Sequence, residues 1–290
     1  MSEATYAVSR EELERLSKFA DVPMIFHETP DSYHDEAEIG NAQDLLTELA
    51  RAALSSVGDG FAQFVQENAT RIHEAARYSD GIAEALVLGY RLGISAGSAA
   101  CMNDLGALYY MGELVEQDYA KAAELYEIAM RHGCFQSVIN LGYIYEYGRT
   151  GERDFGKAFR FYALAAALAP SCEATYKLGD MFSRGQATEA NLTFAKALWE
   201  RSLELAESPA LAAQPAIRIA RLLIDPNSAG LGIELDPLRA LSLFQRAEVG
   251  LRMDIADGLY YYRKRLAEAI KGQAQARAMP DGDSIEVTTQ

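Results

Sequence analysis

The chain has 290 residues, 49% of them hydrophobic and 24% charged, with a formal net charge of -15. That is ample apolar material for a packed core, and too acidic a surface for nucleic-acid backbones, whose phosphates need a basic face. Residues 1–50 hold twelve Asp/Glu against three Lys/Arg, so much of the excess lies near the amino end, where it suits a basic partner.

In chain order, the spacing predicts a first helix over 9–19. Ser9 with Glu12 three residues later forms a capping-box pattern, and Pro23 closes the segment. The first twenty residues mix four acids with three bases and have no apolar stretch, so no secretory signal is expected there. Residues 27–38, acidic and interrupted by Pro30, read as a loop or linker. Apolar residues then recur at helical spacing over 42–53 and 61–78, with a break at 55–60. These helices are expected to cover an open array end. A further helix over 82–95 leads into a repeat.

Leu105-Gly106, Leu141-Gly142 and Leu178-Gly179 lie 36 and then 37 residues apart, and the same intervals recur at Ala122, Ala158 and Ala195 and at Tyr126, Tyr162 and Trp199. A fixed period in this range marks a solenoid. Each copy opens with a helix reading Leu-Gly-x-x-aromatic-x-x-Gly: Tyr109 and Gly112, Tyr145 and Gly148, Phe182 and Gly185. A helix-internal Gly costs about 1 kcal/mol relative to Ala, so its recurrence implies close helix approach, while the closing Gly fits a left-handed helix end. The second helix begins after an N-cap at Asp118, Asp154 or Asn191. A degenerate fourth copy runs from a first helix over 217–223, through an enlarged loop over 225–235, to Asp236-Pro237 and Ala240-x-x-Leu243-Phe244-x-x-Ala247. A last helix over 255–270 is expected to cap the array. The most apolar stretch, 162–169, is too short to span a bilayer.

The pattern Leu-Gly-x-x-Tyr-x-x-Gly followed by Asp-x-x-Lys-Ala-x-x-Leu-Tyr-x-x-Ala resembles the SEL-one-like repeat (SLR), a relative of the tetratricopeptide repeat. The match runs nearly throughout the first copy, Ala99 to Gly133, is good over about 97–207 and loosens toward residue 250. The resemblance implies an all-α fold: a right-handed α-solenoid of antiparallel helix pairs. The expected organisation is 1–80 as an acidic helical cap and linker, 81–271 as the array with its capping helix, and 272–290 as a disordered tail. The family implies a scaffold, adaptor or regulator that binds through a concave face.

Chemistry is scarce. His27 and His34 sit among acids, but no metal-ligand spacing accompanies them. His132 precedes Gly133, where a cation suits a helix end. Cys101, Cys134 and Cys172 read as free thiols in a reducing cytosol. No nucleophile–base set or nucleotide motif is present, so no enzyme activity, cofactor or metal is assigned. Tyrosine is abundant at 16 residues. Non-core positions of the first helices are Asn103, Ala107, Tyr110 and Met111; Ile139, Tyr143, Glu146 and Tyr147; and Tyr176, Asp180, Ser183 and Arg184. From these, Asn103, Tyr110, Tyr143, Glu146, Tyr147, Tyr176, Asp180 and Arg184 are the candidate partner-binding residues, since Tyr and Arg dominate binding hot spots. Tyr260, Tyr261 and Tyr262 cannot all face one way, so at least one should be exposed.

The expected function is a cytoplasmic, non-catalytic module that holds a protein or peptide in its groove, without nucleic acid or membrane. The alternatives are a stoichiometric, immunity-type inhibitor that turns its acidic surface on a basic partner, and an enzyme with a metal site around His27 and His34.

Overall fold

The computed structural model describes residues 6–21, 34–112 and 114–279, with side chains described from Gly40 onward in the second segment. Among the described residues all regular structure is helical. The chain divides into two compact units, Met1–Arg153 and Asp154–Gln290. This division falls within the second repeat rather than at the start of the array.

The first unit holds α1 (Arg10–Ala20), α2 (His34–Ser55), α3 (Gly60–Glu67), α4 (Ala69–Ala75), α5 (Gly81–Ser95), α6 (Ala99–Met111), α7 (Tyr119–Arg131) and α8 (Phe135–Tyr147). The capping box at α1 is formed in both directions: Ser9 Oγ accepts from Glu12 N, and Glu12 Oε2 accepts from Ser9 N at 2.7 Å. One core runs from Leu16 through Leu45, Leu49, Phe61 and Ile82 to Leu105, Leu125 and Ile128. The amino-terminal helices and the first repeat are therefore packed as one body. Arg91 on α5 fixes the segment before α1. It donates to the carbonyls of Tyr6 and Ala7 and to Glu12 Oε1 at 2.6 Å. Tyr6 is buried, and its hydroxyl bonds to Glu124 on α7.

Two expectations for this unit need correction. The helix that begins at His34 takes in residues 34–38 of the segment read as a loop; residues 27–33 lie outside the described residues. The helix expected over 61–78 is broken at Asn68, whose side-chain amide donates to Phe64 O at 2.9 Å and competes with the helical ladder.

The second unit holds α9 (Phe155–Leu168), α10 (Cys172–Arg184), α11 (Leu192–Glu204), α12 (Pro209–Ile224), α13 (Pro226–Ala229), α14 (Pro237–Ala256), a 3-10 turn (Tyr260–Tyr262) and α15 (Arg263–Ala278). Its core gathers Trp199, Ile217, Leu223, Phe244 and Leu251. The helix expected over 255–270 is two elements. α14 continues to Ala256, the chain reverses at Gly258 with φ 92°, and α15 starts at Arg263. α15 also runs past residue 272, into the segment assigned to the tail; residues 280–290 lie outside the described residues. Tyr260 and Tyr261 are exposed, whereas Tyr262 packs on the core.

The repeat chemistry is as the spacing predicts. Asp118, Asp154, Asn191 and Asp236 each accept a backbone N–H of the first helical turn. Gly112, Gly148 and Gly185 close their helices at φ 69°, 62° and 64°, in the left-handed region that a Cβ disfavours. Inside α10, a Cβ on Gly179 would lie 2.5 Å from Trp199 Nε1 and 3.1 Å from Ala195 O. That glycine is what lets α10 and α11 approach.

Candidate functional site

In the first unit the tyrosines at the ends of α6 and α8 form one face. Tyr143 and Tyr147 are one turn apart on α8, which puts them on the same side. Their rings stack with centroids 6.0 Å apart and planes 11° from parallel. Tyr110, at the end of α6, meets Tyr119 at the start of α7 edge-on, at 5.3 Å. The left-handed turn at Gly148 lets Arg149 N bond back to Ile144 O at 2.9 Å, and the Arg149 side chain lies over the rings. Its guanidinium carbon is 5.6 Å from the Tyr110 ring centre, 5.0 Å from Tyr119 and 5.5 Å from Tyr147, within cation–π range. Arg149 Nε donates to Tyr110 Oη at 3.2 Å. That hydrogen bond, opposed by desolvation, holds the guanidinium's pKa above its usual value. Tyr147 and Met111 are exposed, at 44% and 43%. The result is an amphipathic aromatic surface with one cation at its centre.

Of the predicted residues, Tyr110, Tyr143 and Tyr147 are brought together here. Asn103 and Glu146 are buried within the same unit. Asn103 Oδ1 accepts from Ser137 Oγ and Asn140 Nδ2, both at 3.0 Å, so it ties α6 to α8.

In the second unit Tyr176, Asp180 and Arg184 on α10 gather around Arg218 of α12. Arg218 donates to both Asp180 oxygens, at 2.6 Å for Oδ2, and its guanidinium lies 4.7 Å above the Tyr176 ring. Trp199 Nε1 donates to Asp180 Oδ1 at 3.1 Å, and Arg184 Nη2 is 3.7 Å from Oδ2. Asp180 is 3% exposed. Burial alone would raise its pKa, but the charge and hydrogen bonds of Arg218, helped by Arg184 and Lys177, hold it below the usual carboxylate value.

Sequence reasoning missed Tyr119, Arg149 and Arg218. A signal for Arg218 existed. The residue before each Leu-Gly, or its Ile219-Ala220 counterpart, is polar in every copy: Asp104, Asn140, Lys177 and Arg218. Arg149 follows a closing glycine and had no periodic partner to mark it. His27 lies outside the described residues, and His34 is described only as the first residue of α2.

The Sel1 repeat matches four stretches of the chain, residues 99–134, 136–170, 172–206 and 227–248. No curated protein sequence matches it. Among solved structures, it is similar to a Sel1 repeat protein from Oxalobacter formigenes, at 20% identity over 74% of this chain and 81% of that one, with a TM-score of 0.50. It is also similar to a protective antigen of uropathogenic Escherichia coli with an SLR fold, at 18% identity, 96% and 63% coverage and a TM-score of 0.48. The chain thus carries four Sel1 repeats in an all-α fold of the solenoid type. Sel1-repeat proteins are generally protein-interaction modules and typically non-catalytic. Among the described residues no helix is long and apolar enough to cross a membrane.

Proposed function

Proceeding from a chain that carries four Sel1 repeats, we propose a non-catalytic interaction module whose first unit binds a partner protein or peptide on the tyrosine face. The observation that carries this reading is the cluster of half-buried Tyr110, Tyr119 and Tyr143 with exposed Tyr147, gathered about Arg149. Tyrosine offers large contact area at low entropic cost, and central Tyr and Arg residues carry most of the energy of known interfaces. The cluster is pre-ordered by its own ring and cation contacts, which lowers the cost of binding. A cytoplasmic setting fits the three free cysteines.

The test is affinity capture with the intact chain and with Tyr110→Ala/Tyr143→Ala/Tyr147→Ala, read by mass spectrometry and then by calorimetry with the partner found. Hot-spot truncations cost about 2 kcal/mol or more each, so the triple variant should lose the partner while keeping its helical circular dichroism. A partner retained at unchanged affinity by the triple variant would overturn the assignment.

A further inference from the structure

The second unit contains a cavity of about 730 Å³ reached by Arg184, Arg218, Arg221 and Arg265 and by two acids, Asp180 and Asp225. In a chain of net charge -15 such a concentration of arginine runs against the bulk trend. Four of these charges are locally engaged, Arg184 among them at 3.7 Å from Asp180. Arg218 is paired with Asp180, and Asp225 caps α13 by accepting from Asn227 N at 3.0 Å. Arg221 of α12 and Arg265 of α15 converge on a single carboxylate, Glu268, one on each oxygen, at 2.8 and 2.9 Å. Among the described residues each of the two gives Glu268 one nitrogen, though a guanidinium carries five N–H groups. Two cations therefore share one anion, and their remaining N–H groups can donate to a second carboxylate in forked geometry. Leu192, Leu222, Ile224, Pro226 and Met279 supply the apolar part of the wall.

We propose that this cavity is a second binding site, which takes a peptide segment of a partner in which acidic side chains alternate with aliphatic ones. A carboxylate lies on Arg221 and Arg265, and an aliphatic neighbour lies on Leu222 and Pro226. An extended polyanion such as nucleic acid is disfavoured, because the chain's overall charge repels it beyond the few ångströms over which these arginines act. A short acidic segment meets only the local field. The proposal does not depend on the tyrosine face, since the two sites lie in separate units.

The chain's one tryptophan, Trp199, lines the cavity and bonds to Asp180, so it reports on occupancy. The experiment titrates the full chain with a blocked Glu-Leu-Glu-Leu-Glu peptide, followed by Trp199 emission and by calorimetry in parallel. Saturable binding is expected, weakened about tenfold or more by Arg221→Gln/Arg265→Gln, the cost of one lost charge-assisted hydrogen bond or more. The Gln-Leu-Gln-Leu-Gln peptide should not bind. Arg221 is exposed and Arg265 half-buried at the surface, so the variant should keep the wild-type circular dichroism and a melting temperature close to that of the wild type. The proposal fails if calorimetry detects no binding, if the glutamine peptide binds equally, or if the double variant binds like the wild type. It also fails if inorganic phosphate or a single-stranded oligonucleotide displaces the peptide at lower concentration than free peptide does.

Discussion

Arg218→Met isolates one buried charge. In the intact chain Asp180 is 3% exposed, and its carboxylate is held by two donors of Arg218 and by the Trp199 indole. Removing one partner of a buried pair generally costs about 3–5 kcal/mol, because the other charge is left uncompensated. Arg184 and Lys177 still act on Asp180, so the low end, about 3 kcal/mol, is expected. For a unit of this size that is a fall in melting temperature of about 10 °C. Asp180→Asn/Arg218→Met removes both charges and keeps an acceptor for Trp199, so it should recover most of the loss. The shortfall, about 1 kcal/mol, reflects the Gln214 and Tyr176 contacts of Arg218. The pH dependence separates charge from packing. In the wild type the Asp180 pKa is lowered on folding, so its contribution is present above the ordinary carboxylate range and is lost as pH falls through the folded value. In Arg218→Met burial, which raises the pKa, is opposed only by Arg184 and Lys177, so the folded pKa is expected above the unfolded one. The variant should then gain stability as pH falls from 7 toward 4, while the wild type does not. Urea unfolding at a series of pH values, followed by Trp199 emission, reads both slopes. A single variant within 1 kcal/mol of wild type, or one with the wild-type slope, would refute the reasoning.

Gly179→Ala places a methyl group 2.5 Å from Trp199 Nε1 and should destabilise the second unit by about 1–3 kcal/mol through overpacking, despite alanine's better helix propensity; chemical denaturation measures it. Glu12 has its pKa lowered to about 2, first by the hydrogen bonds from Arg91 and then by the Ser9 backbone. Docking of α1 should therefore be complete above the ordinary carboxylate range and weaken as pH falls from about 4 toward 2, seen as faster hydrogen exchange over residues 10–20. Glu12→Gln should abolish that pH response, and exchange that quickens equally in the variant would exclude Glu12 as its origin.

Much of the architecture could be read from the chain because each repeat states its boundaries twice. Asp118 and Asp154 open second helices and Gly112 and Gly148 close first ones, so cap chemistry and period agree on the limits of α6 to α9. Outside the array no second copy exists for comparison. There, Asn68 and Gly258 broke helices that apolar spacing alone had joined. Asn68 acts by a side-chain bond and Gly258 by its backbone angle, and neither leaves a trace in hydrophobic periodicity.

The candidate residues were harder to sort, for a reason that belongs to repeat proteins. Periodicity shows which positions do not pack within their own copy, but not whether the next copy covers them. Asn103 lies in the first copy and bonds to Asn140 of the second; Asp180 lies in the third and bonds to Arg218 of the fourth. In both pairs the acceptor is a position that the pattern leaves outside its own core, and the donor is the residue before the next copy's Leu-Gly or Ile-Ala. One pair is neutral and the other charged; they share the donor position, while the acceptor lies two residues before Leu105 in the first copy and two residues after Leu178 in the third. A polar residue there is required by the stacking of one helix pair on the next, because a buried acceptor without its donor costs about 1–3 kcal/mol. Tyr110, Tyr143 and Tyr147 differ in kind. They lie toward the ends of their helices, and Tyr147 stays exposed. The useful sequence rule is positional: the polar residue before Leu-Gly or Ile-Ala, Asn140 or Arg218, joins one copy to the one before it.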